Sequence, residues 1–176
     1  ARAYRAADPD LLLWVHIAFT ESFLTCHQMY AWREIPAGQA PTGADNYIAQ
    51  WAKSVIPLGL DTAPMNQQEL NAAIEKFNSD GLLRADETTL NVVKFIKNPP
   101  LPAAAKLVYR LLFDAAVLSL PEEFRSMLGL KAKPRWLIQP TTRGVLRFIR
   151  LAIGPESPIE DGAIARLERI GILAQR

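Results

Sequence analysis

The sequence has 176 residues, 49% hydrophobic and 22% charged, which is enough for one domain with a substantial core and too apolar for a disordered tail. Lysine and arginine number 20 against 18 acids, a net charge of +2 that argues against a dedicated nucleic-acid binder. The single cysteine, Cys26, excludes an internal disulfide framework and a cysteine-rich zinc site.

From the start of the chain, residues Ala1 to Asp8 carry two arginines and no apolar stretch of the kind a signal peptide needs. The longest strongly apolar run, Leu11 to Phe19, is too short to span ~30 Å of hydrocarbon. The expected location is therefore cytoplasmic or peripheral to a membrane. Asp8-Pro9 is a helix start: Asp8 caps the first turn, and Pro9 has no N–H to lose there. The helix it opens is expected to run to Tyr30 or Trp32, and its first half is apolar all round, which marks a central helix buried in a bundle.

After a loop rich in Pro and Gly, a second helix is expected over about 44–56, showing Tyr47, Ile48, Trp51 and Val55 at helical spacing. The segment from Pro57 to Pro64 breaks it. Asn66 or Gln67 opens a third helix with Leu70, Ala73, Ile74 and Phe77 on one stripe, closed at Gly81. A fourth, about 86–96, aligns Leu90, Val93 and Ile96 before Asn98-Pro-Pro-Leu-Pro102 stops it. A nearly all-round apolar helix follows over 103–120, then a short one begun at Pro121 with Glu122 and Glu123 in its first turn. Arg135 to Ile138 reads equally as an extended segment or a helical turn. Thr142 to Ile153 is a cationic amphipathic helix, and Ser157-Pro158-Ile159-Glu160 is a capping box for a last helix to about Ile170. The fold class is all-α, a multi-helix bundle in a single domain over 1–176.

Chemistry-bearing residues are few. His16 and His27 both lie on the first helix, about 20° apart in azimuth but about 16 Å apart along the axis, so they share a face and cannot hold one ion together. No carboxylate stands three or four residues from either, so the Glu-x-x-His pairs of a di-iron bundle are absent. There is no Gly-x-Ser-x-Gly elbow and no phosphate-binding glycine loop. Cys26 and His27, adjacent on a helix, point apart and do not make a dyad. A histidine inside Leu-Leu-Leu-Trp-Val-His-Ile-Ala-Phe is unusual and has two readings. It is a core imidazole bonded to a carbonyl or hydroxyl, or it faces a pocket or cofactor. His27, near the polar end, reads as a surface residue. Arg143, Arg147 and Arg150 fall on one face, read first as a solvated surface, with an anionic membrane surface or acidic cofactor groups as the sharper readings.

The stretch Tyr4-Arg-Ala-Ala-Asp-Pro-Asp-Leu-Leu-Leu-Trp-Val-His16 resembles a signature of the oxygenase family of latex-clearing protein (rubber oxygenase) and the mycophenolic-acid-pathway oxygenase. The ordered set Pro99-Pro-Leu-Pro102, Tyr109-Arg-Leu-Leu112, Leu120-Pro121, Arg125 and Leu128-Gly-Leu130 is similar to that family's pattern, and together the matches cover most of 4–130. The resemblance implies an all-helical domain holding haem b, with dioxygen attacking an apolar or polyisoprenoid substrate. It implies a cofactor side lined by Trp14, His16, Thr20 and Phe23, with Trp14, Phe19 and Phe23 as an apolar wall and His16 orienting polar groups. In the family's pattern the proximal haem histidine and a distal Arg/Thr group precede this stretch. The catalytic ligand is therefore expected upstream of the chain, and these residues are expected to be the C-terminal part of a larger domain. Were the chain complete, haem would have only His16 or His27 as a ligand. Without the preceding helix, the apolar face between Leu11 and Phe19 is expected to be exposed and to call for a partner chain. The rival class is a non-catalytic helical module that binds a lipid or isoprenoid, or docks as a subunit.

Overall fold

The computed structural model describes residues 8–60, 62–154 and 158–171. Among these are eight α-helices and one short 3-10 turn, with no strand: α1 Pro9–Tyr30, α2 Gly43–Ala52, the turn Ile56–Leu58, α3 Gln67–Ser79, α4 Glu87–Lys97, α5 Ala103–Ser119, α6 Glu122–Met127, α7 Arg135–Ile153 and α8 Pro158–Arg169. The all-α class holds. The helix starts are set by local chemistry. Asp8, Thr42, Asn66 and Asp86 each accept, through the side chain, a hydrogen bond from a free N–H of the turn they open. Gly43 begins α2 where the Ile35 carbonyl oxygen lies 1.9 Å from where a Cβ would stand, so only glycine fits.

The structure corrects one expectation and settles one open segment. The second helix stops at Ala52, not at residue 56, because Pro57 removes a ladder N–H and the chain tightens into the 3-10 turn instead. Arg135 to Ile138, open between two readings, is helical and is the first turn of α7. Pro140 lies inside that helix and leaves the Trp136 carbonyl without its usual donor. The adjacent Thr141 hydroxyl donates to the Leu137 carbonyl at 2.7 Å, and Ile138, 3% exposed, anchors the turn in the core. The expected Ser157 capping box lies outside the described residues.

Helix α1 is central, packing against α2, α3, α5 and α7. It joins two cores. Its first part contributes Ile17 and Leu24 to a cluster with Ile48 of α2 and Leu70 of α3, ringed by Leu13, Trp14, Tyr47 and Phe77. Its end contributes Tyr30 to a second cluster with Ala115 of α5 and Ile138 of α7. The burial of α1 is one-sided, however. Val15, Phe19 and Phe23, spaced four apart, are 43%, 52% and 51% exposed. The first two lie in the stretch Leu11 to Phe19 expected to be open, and Phe23 extends that face by one turn, whereas Leu11 to Trp14 are partly buried. Helix α4 forms where its cap and spacing put it but buries none of its residues, and Leu90 and Ile96 of its stripe stay exposed.

Candidate functional site

The two histidines of α1 have different fates. His27, partly exposed, uses Nε2–H to donate to the Arg33 carbonyl at 2.8 Å and closes the chain that leaves α1. His16 is buried at 4% exposure, and its Nε2 has no hydrogen-bond partner. Burial pushes the His16 imidazole below its ordinary pKa and keeps the ring neutral. A neutral imidazole with an unpartnered nitrogen costs about 1–3 kcal/mol to hold. The same atom is what a metal or a hydrogen-bonding ligand requires. Thr20, fully buried one turn on, donates its hydroxyl to the His16 carbonyl at 2.7 Å, so its proton is committed to the helix backbone.

Beside them runs an aromatic row. Phe19 stacks on Phe23, with ring centres 5.7 Å apart and planes within 5°, and Phe23 meets Trp51 of α2 edge-on at 5.7 Å. Tyr47 stacks on Trp51 at 6.0 Å, and its hydroxyl is buried without a partner. His16, Thr20, Phe19 and Phe23 thus share one side of α1. Trp14 faces the other way, 5.2 Å from Phe77, on the wall of a separate pocket of about 380 Å³ that also involves Ala18, Leu83 and Phe124. The four residues expected together therefore split into three and one. On an ideal helix Trp14 stands about 160° from His16, whereas Phe23 stands about 20° from it.

Among the described residues no group of three or more His, Cys, Asp or Glu side chains could hold a metal ion. A haem iron needs only one such donor from the chain, and His16 Nε2 fits that requirement chemically. Cys26 turns away from His27 and approaches the Ser119 hydroxyl, Sγ to Oγ 3.7 Å, as adjacent helical positions require. Of the three arginines expected on one solvated face, Arg147 and Arg150 are exposed, but Arg143 folds inward. Its Nε donates to the Met29 carbonyl at 3.1 Å, alongside Gln139 Nε2 at 2.8 Å. Both satisfy a free carbonyl at the end of α1, where cationic groups also suit the helix dipole.

A family model described as the ER-bound oxygenase mpaB/B'/rubber oxygenase catalytic domain matches residues 1–151. The chain belongs to that family. The match runs through α1, the aromatic row and nearly all of α7, so the oxygenase family and the histidine-bearing helix coincide. No curated protein and no solved structure gives a significant match. No helix among the described residues is long and apolar enough to cross a membrane.

Proposed function

We propose that this member of the oxygenase family is haem-dependent and acts with dioxygen on an apolar, isoprenoid- or lipid-like substrate. We further propose that His16, in place of the upstream histidine that the resemblance implies, is the residue that binds the cofactor iron. The observation that carries the reading is the buried, neutral, unpartnered Nε2 of His16 beside an open aromatic row. Haem b, when bound, supplies a redox-active iron for dioxygen chemistry. His16 would offer its Nε2 lone pair, with the ring held uncharged by burial. Phe19 and Phe23 would exclude water and present a flat apolar surface to macrocycle or substrate. The Thr20 hydroxyl proton is held by the His16 carbonyl.

The exposed face of Val15, Phe19 and Phe23 also supports the rival reading, a subunit or carrier whose apolar side is covered by a partner chain or a lipid. Cofactor retention separates the two. Protein purified from its native source should show a Soret band and consume dioxygen when given a linear polyisoprenoid. A colourless protein with an extractable lipid, and no uptake after haem is added, would overturn the oxygenase reading in favour of the carrier.

A further inference from the structure

A second site lies at the far end of α1. A cleft of about 580 Å³ opens between the end of that helix, α5 and α7, at Cys26 to Tyr30, about 15–20 Å along the axis from His16. Its apolar walls include Leu112, Ala116 and Leu146. Thr142, 1% exposed, also borders it, and the Thr142 hydroxyl is buried with no hydrogen-bond partner. Two arginines line the cleft, Arg33 from the loop after α1 and Arg150 from α7, together with His27, and no acid contributes. Neither guanidinium has a salt-bridge partner among the described residues, where Lys133 and Asp114 form an ion pair. The His27 bond to the Arg33 carbonyl fixes the backbone that carries the first of them.

An apolar trough with a cationic, acid-free rim and one unused hydroxyl has a definite complement. A neutral hydrocarbon would leave both guanidiniums and the hydroxyl without new partners, and a small anion would leave the walls empty. We infer that this cleft binds a single-chain amphiphile with an anionic head group, of the carboxylate class. The tail lies against Leu112, Ala116 and Leu146, and the head is met by Arg33 and Arg150 with Thr142 as a further donor. The inference does not depend on the haem reading, because none of these residues belongs to the His16 site.

Titration calorimetry of the full chain with dodecanoate, 1-dodecanol and acetate tests it. Dodecanoate should bind at least about tenfold tighter than either of the others. The R33Q/R150Q double variant should remove that preference while leaving dodecanol binding and the melting temperature unchanged. A116F should weaken dodecanoate and dodecanol alike by filling the trough. T142V, which keeps shape and deletes the hydroxyl, should cost dodecanoate about fivefold without lowering stability. Equal affinity for dodecanoate and dodecanol, an unaffected double variant, or no binding of dodecanoate at all would each overturn the proposal.

Discussion

The two halves of α1 are held by different physics. The first half, from Leu13 to Leu24, is gripped by aliphatic contacts to α2 and α3, with Ile17, Leu24, Ile48 and Leu70 at 1% exposure or less. The second half adds to its own apolar cluster directional bonds across long sequence separations. The Tyr30 hydroxyl donates to the Ala115 carbonyl at 2.8 Å, and Gln139 and Arg143 both donate to the Met29 carbonyl. The unpaired Nε2 of His16 sits in this first half. A helix seated by packing can keep one reactive nitrogen idle, because its position does not depend on that nitrogen's bonds. The other end spends its polar atoms on architecture.

The largest expected effect falls on the aliphatic end. Leu24→Ala removes a fully buried side chain from a cluster of four and should cost about 2–5 kcal/mol in denaturant unfolding. A loss under 1 kcal/mol would mean that the cluster is not what seats α1. Next comes His16→Leu, which replaces an unpartnered buried polar group with an apolar one of similar size. It should leave the cofactor-free protein as stable as before or raise its stability by about 1–2 kcal/mol. A large loss would show that the nitrogen has a structural partner. Tyr30→Phe tests the directional end, where losing one buried hydrogen bond should cost about 1 kcal/mol.

The smallest effect is at the junction of α2 and α3. Asp45 accepts hydrogen bonds from the Gln67 N–H at 2.9 Å and the Thr42 hydroxyl at 2.7 Å, and these hold its carboxyl below the usual carboxylate range. Its folded pKa is therefore lower than its unfolded one. The stabilisation is complete above the unfolded value and fades as pH falls through the folded one. Asp45→Asn should melt slightly earlier than the parent at neutral pH, and the difference should close in acid. A gap that persists in acid would assign the effect to lost geometry, not to charge.

Much of this architecture was legible in the sequence because its determinants are local. Asp8-Pro9, Asn66 and Asp86 announce their helices through their own side chains, and an apolar run with no polar stripe marks α1 as central. What was not legible depended on partners far along the chain. Nothing near Arg143 says that it will fold inward onto Met29, 114 residues away, and nothing near Thr142 says that its hydroxyl will be orphaned. For Arg135 to Ile138 the sequence leaves two readings open, because the burial of Ile138 that seats this turn is a tertiary fact. At the candidate site, the singularity of His16 in an apolar run was visible, but whether its nitrogen would be bonded was not. Trp14, which the resemblance sets beside His16, packs against Phe77 on another face of α1, as its azimuth of about 160° from His16 requires.

His16 Nε2 is the atom proposed here to bind the cofactor iron. The most direct test of that assignment is the absorption spectrum on titrating ferric haem into the full chain, its His16→Ala variant and its His27→Ala variant. The parent and His27→Ala should each shift the Soret band with one haem bound per chain, and His16→Ala should leave the spectrum of free haem. A Soret shift that survives in His16→Ala, or that is lost in His27→Ala instead, would contradict the account.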